Sequence, residues 1–197
     1  AIGDEGVLAM VCDSTNVFED GESGSEATVR AALKDLVARQ KGKVAVTTFA
    51  SNVARVESII LAAEAAGRHV CLVGRSMHKV THAAKVAGML QGVQAFVDEE
   101  EAGFLPDDKI LYVCTGSQGE QRAALGRIAR DDHRHVSLGE GDSVIFSSRT
   151  IPGNESGIFH MQNMLSDRGV NIITPNMLTE TIHVSGHPCR DELRRMY

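Results

Sequence analysis

Short unbroken apolar runs, separated by stretches with helical periodicity, constrain this chain more than any other feature. Runs over residues 6–13, 44–49, 69–73, 109–114, 143–146, 170–173 and 181–184 read as strands. The segments between them read as helices: one starting near Ser25, with Val29, Leu33, Leu36 and Val37 on one face, then 53–66, 77–90, 120–130 and 154–167, with a last helix over 189–197. A strand that is apolar on every residue rather than on alternate ones is buried on both faces, and intervening helices supply the crossovers that parallel strands need. The pattern therefore predicts an α/β fold with a mostly parallel, Rossmann-like sheet and helices on both faces.

Composition fits that reading. The chain has 197 residues, of which 43% are hydrophobic but only 4% aromatic, with no Trp, so the core is built from small aliphatic side chains. This length suits one sizeable domain or at most two small ones, and because no linker or low-complexity segment divides residues 1–197, a single domain is expected. No apolar stretch is long enough for a bilayer and no basic-then-apolar segment opens the chain, so a cytoplasmic protein with no membrane partner is expected. Cys12, Cys71, Cys114 and Cys189 are scattered, and the first three lie in apolar runs, which predicts reduced, mostly buried thiols. A formal charge of −6 argues against a uniformly basic nucleic-acid binder. Any bound polyanion has to be held by local donors, for which Arg75, Lys79, Arg127, Arg130 and Arg149 are candidates, although a scatter of surface cations describes most of these more simply.

The chemistry-bearing residues fall after the strands, where ligands bind in open parallel sheets. The loops are DSTN from Asp13, FASN containing Ser51, TGSQGE containing Gly116, Ser117 and Gln118, SSRTIPGNE from Ser147, and HVSGH from His183 to His187. Each has a plain structural explanation. DSTN and FASN make good turns or helix caps, and TGSQGE lacks both the spacing of a dinucleotide fingerprint and the ending of a P-loop. His78 and His82 are four apart on a helix, but no third ligand completes a metal site. What raises the set above its members is that all five loops belong to the same end of the predicted sheet. The HVSGH run adds two imidazoles, a hydroxyl and a glycine in five residues, a grouping suited to phosphate oxygens.

With these five motifs in this order, the chain closely resembles the β-CASP region of the bacterial ribonuclease J family, nucleases of the metallo-β-lactamase fold. The resemblance runs across nearly the whole chain. It implies an α/β domain inserted in a metallo-β-lactamase domain, with RNA cleaved between the two by 5′-to-3′ exonucleolytic and endonucleolytic hydrolysis, assisted by two zinc ions. Carried onto this sequence, it implies that Asp13 is the acidic residue of motif A and His187 the motif B histidine. The carboxylate would fix one imidazole nitrogen, leaving the other to protonate the departing 3′ oxygen. His183, Ser185 and Ser51 would contact phosphate, and Gly116, Ser117 and Gln118 would line the cleft wall.

The family's zinc ligands, an HxHxDH motif with a later histidine and aspartate, are absent here, and a further histidine would lie beyond Tyr197. The resemblance thus leads to the expectation of a fragment that lacks the metallo-β-lactamase domain, holds no metal, is inactive alone, and comes from a homo-oligomeric RNA-processing enzyme. Two other readings stay open: a free-standing nucleotide-binding module, supported by fold class alone, and a scaffold or dimerisation domain.

Overall fold

The computed structural model describes residues 2–196. The chain divides into two compact units, a larger one over Glu26–His183 and a smaller one formed by the segments up to Ser25 and from Val184 onward.

In the larger unit, α2 (Glu26–Ala38) leads to β1 (Val44–Thr47), followed by α3 (Val53–Ala65), β2 (His69–Val73), α4 (Arg75–Val86), β3 (Phe96–Val97) and α5 (Glu99–Ala102). Then come β4 (Ile110–Cys114), α6 (Ala124–Ala129), β5 (Ser143–Phe146), α7 (Glu155–Asp167) and β6 (Asn171–Ile173). The six strands form one sheet of order β3-β2-β4-β1-β5-β6, and every pairing is parallel. β1 lies between β4 and β5, with Val44 in register with Leu111 on one side and Ser143 on the other. All four of its residues are buried, as its sequence VAVT requires.

Strand periodicity sorts the core into two layers. Ala45, Cys71, Val73, Tyr112, Cys114, Val144 and Phe146 share one face and pack with Leu125, Ile128, Ile158, Met161 and Leu165 of α6 and α7. The alternate residues, including Val46, Leu72, Val113 and Ile145, are equally buried on the other face, where α3 contacts β2 and β4. There α2 buries Val29, Leu33, Leu36 and Val37, the four positions picked out by its sequence periodicity. Burial pushes the Cys71 and Cys114 thiols up to about 12, so both stay protonated and inert.

Several expectations are corrected. Residues 6–13 are not a strand: Leu8 and Val11 are fully exposed, and the segment has no ladder partner among the described residues. An apolar run records a preference for burial, but a strand also needs a neighbour for its backbone groups. Cys12 is exposed with it. Residues 181–184 also form no strand, because the Ile182 carbonyl accepts from the Ser147 hydroxyl at 2.7 Å rather than from a backbone ladder. Helix α6 begins at Ala124 instead of residue 120, since residues 116–123 are taken up by turns.

The smaller unit contains α1 (Ile2–Glu5) and α8 (Arg190–Met196), the latter beginning one residue after the expected start; Tyr197 lies outside the described residues. Polar bonds at the start of α8 hold it together. Arg190 donates to the carbonyls of Val17 and Phe18 and pairs with Asp20, Asp191 accepts from the Gly21 N–H, and Glu192 accepts from Ser23 and from the Cys189 N–H.

Candidate active site

In the smaller unit, Asp13 and His187, 174 residues apart in sequence, meet through a hydrogen bond of 2.5 Å from Nδ1 to Oδ2. The other carboxylate oxygen accepts from the Thr15 N–H at 2.9 Å, closing a turn within DSTN. The turn reading of that motif and its pairing with the histidine are therefore both realised, one on each oxygen, whereas no helix follows DSTN for it to cap. The His187 hydrogen bond, followed by Thr15, lowers the Asp13 carboxyl to about 2. An ionised carboxylate only accepts, so Nδ1 carries a proton and Nε2 is the nitrogen left for chemistry. Both side chains are about half exposed, His187 at 53% and Asp13 at 42%, which leaves that nitrogen reachable.

Asn16 organises the opposite side of the same cluster. It is buried, and its Nδ2 donates to the Ser185 hydroxyl at 3.0 Å and to the His187 carbonyl at 3.1 Å, while its backbone bridges to Cys189. The Ser185 oxygen also accepts from the His187 N–H at 3.1 Å. With both lone pairs occupied, the Ser185 hydroxyl has only its proton to offer. It is a committed donor, suited to an anionic oxygen.

In the larger unit, His183 belongs to a second cluster centred on Arg55. Asn52 of the FASN loop caps α3 by accepting from the Arg55 N–H, which places Arg55 in the first turn with its side chain fully buried. Its guanidinium makes a two-point ion pair with Glu26 at 2.8 and 2.9 Å and donates to the Ser147 carbonyl and hydroxyl. It also meets His183 Nδ1 at 3.2 Å. Because a guanidinium only donates, Nδ1 accepts and the neutral ring carries its proton on Nε2. Burial first, then the charge of Arg55, push the His183 imidazole down to about 4. Ser51, one residue before the cap, is exposed.

The loops after the three adjacent central strands are tied together. Thr48 N–H donates to the Cys114 carbonyl, Ser147 N–H to the Thr47 carbonyl, and the Thr48 hydroxyl to the Ser147 carbonyl. Gln118 extends this, donating through Nε2 to the Arg149 carbonyl and accepting through Oε1 from Ile151 and Asn154. Gly116 and Ser117 are buried beside it. The amide of Gln118 is thus engaged with the protein, and this trio shapes the loop instead of presenting donors. Gly119 has φ +78°, and a Cβ there would sit 2.4 Å from the Gly157 backbone, so the glycine permits the approach of α7.

Asn16, Arg55 and Glu26 carry the geometry yet were not singled out from sequence. Asn16 was visible only as part of a turn motif. An arginine flanked by the apolar residues of α3 was the available signal for the second cluster. Among the described residues, no three His, Cys, Asp or Glu side chains gather into a metal-binding group, so the donor set present here does not fit zinc. No described helix is long and apolar enough to cross a membrane.

The family model for the β-CASP domain of ribonuclease J matches residues 41–165. The ribonuclease J of Sinorhizobium meliloti is 51% identical over 196 residues, covering 100% of this chain and 34% of that protein. Those of Corynebacterium glutamicum and Thermus thermophilus are 41% and 39% identical, covering 99% and 98% of this chain but 27% and 33% of theirs. The chain thus spans about a third of the length of the curated relatives it matches. A family match over more than half the residues, on an all-parallel α/β sheet, leads to one conclusion: this chain belongs to the ribonuclease J family, of which it carries the β-CASP domain.

Proposed function

We propose that this chain supplies an acid and phosphate contacts to the hydrolysis of RNA. The carrying observation is the Asp13–His187 hydrogen bond, which commits Nδ1 and leaves Nε2 of a half-exposed imidazole to protonate the 3′ oxygen that leaves when a phosphodiester is cut. Ser185, whose hydroxyl is a committed donor, and His183, whose Nε2 carries the proton, are assigned to phosphate oxygens, with exposed Ser51 as a further contact. Gly116, Ser117 and Gln118 are assigned to the cleft wall as its support.

The two zinc ions belong in this reading to the metallo-β-lactamase part of a longer nuclease, where a metal would activate water. The residues here hold a proton and bind phosphate, whether the cut is exonucleolytic or endonucleolytic. A cytoplasmic RNA-processing enzyme that assembles as a homo-oligomer is the setting that this reading implies.

The test is a chimera in which this chain replaces the matching third of the Sinorhizobium meliloti relative. Hydrolysis of a 5′-monophosphorylated RNA at a rate within about tenfold of the unaltered relative is expected. A folded chimera that binds RNA but never cleaves it would contradict the proposal.

A further inference from the structure

A groove of about 510 Å³ in the larger unit takes no part in the two clusters described above. It opens beyond the carboxyl ends of β2 and β4 and is lined by Arg75 and His78 from the start of α4, Arg122 from the loop after β4, and Arg127 from α6. The 133–135 segment, His-Arg-His, completes it, and Glu99 is its single acidic lining residue. The walls are fixed in place. A Cβ at Gly74 would lie 2.7 Å from the Thr115 hydroxyl, and the Leu125 N–H donates to the Thr115 carbonyl at 2.9 Å, so the segments bearing Arg75 and Arg122 are pinned side by side.

The pairing of charges singles this groove out. Acidic residues outnumber Lys and Arg by 26 to 20 in the chain, so carboxylate partners are plentiful. Arg30, Arg39, Arg55, Arg168, Arg190 and Arg195 all hold one. Arg75, Arg122 and Arg134, in contrast, have no hydrogen-bonded or ion-paired partner among the described residues, and all three are exposed and line this one groove. The fourth, Arg127, donates to a backbone carbonyl of Asp132. The nearby acids are diverted: Asp131 pairs with Arg168 at 2.8 Å and Asp132 approaches Arg130 at 3.9 Å. Concentrating unpaired guanidinium groups in one concavity of an acidic protein stores mutual repulsion that an external anion relieves.

We infer that this groove is an accessory binding site for the phosphodiester backbone of single-stranded RNA. Guanidinium forks match phosphate oxygens in pairs, and guanidinium and imidazole planes accept stacked bases. The inference rests on the RNA-hydrolysis reading for its choice of polyanion, but it concerns retention of the strand and not its cleavage.

The test measures fluorescence anisotropy of a labelled oligouridylate of about 12 nucleotides with the unaltered chain, across salt from about 50 to 200 mM. In the variant Arg75→Gln/Arg122→Gln/Arg134→Gln, affinity is expected to fall tenfold or more. The slope of log affinity against log salt should shrink by about 2, at roughly 0.7 per lost single-strand phosphate contact. A control, Lys34→Gln/Arg39→Gln/Lys41→Gln, removes the same charge elsewhere and should retain affinity.

Unchanged affinity and slope in the groove variant would overturn the inference, as would equal loss in the control, failure of the unaltered chain to bind, or a polyglutamate peptide competing as well as RNA. Cleavage by the chimera is scored separately by turnover. An inactive chimera whose RNA affinity still depends on these arginines leaves the groove standing, and an active chimera indifferent to them leaves only the cleavage reading.

Discussion

Both carboxylate oxygens of Asp13 are occupied, one by the His187 imidazole and one by the Thr15 N–H, and this double acceptance holds the carboxyl at about 2. A carboxyl depressed below its unfolded value adds stability that is present above about pH 3.9 and is lost as pH falls toward 2. A carbon-detected NMR titration of the Asp13 carboxyl should therefore show a midpoint near 2, rising toward the ordinary carboxylate value in His187→Ala. A midpoint that stays put in the variant would mean that the imidazole is not what holds the charge. The pairing itself was legible in the sequence because both partners sit in motifs. The buried donors that frame it were not, since nothing local in DSTN shows that Asn16 faces inward or that Ser185 loses both lone pairs to N–H groups. Arg55 was missed for the same reason: the burial of a charged side chain is decided by residues 26, 147 and 183, far from it in sequence.

At the level of elements, strands were readable wherever the apolar run was continuous and flanked by helices, because burial on both faces leaves little else for such a run to be. β2 and β5 match their sequence boundaries residue for residue. β3 escaped because Phe96–Val97 is two residues long, too short to show a period just ahead of the acidic stretch that starts at Asp98. The run at 6–13 misled because apolarity alone does not supply a ladder. The late start of α6 has its cause in packing, since TGSQGE bends back so that Gly119 can lie against Gly157 of α7. Gly119→Ala should thus cost about 1–3 kcal/mol, through both the positive φ and the displaced α7 backbone. Urea unfolding of the two proteins measures this, and a difference below about 0.5 kcal/mol would show that the loop can relax away from the helix.

Across the whole molecule, the two units are held by different forces. The larger unit has a two-layered aliphatic core of the kind its composition announces, while the smaller one relies on hydrogen bonds and ion pairs made by residues 185–195 to residues 13–23. No linker marked the division in the sequence because the smaller unit draws on both ends of the chain. It is this smaller unit that carries the acid–imidazole pair, so the functional account depends most on what His187 does. The most direct measurement is single-turnover cleavage by the chimera with and without His187→Ala, with RNA affinity determined in parallel. A proton donor predicts a rate lowered by about 10²–10⁴-fold with affinity changed by less than about threefold. Unchanged turnover, or a loss confined to affinity, would contradict the account.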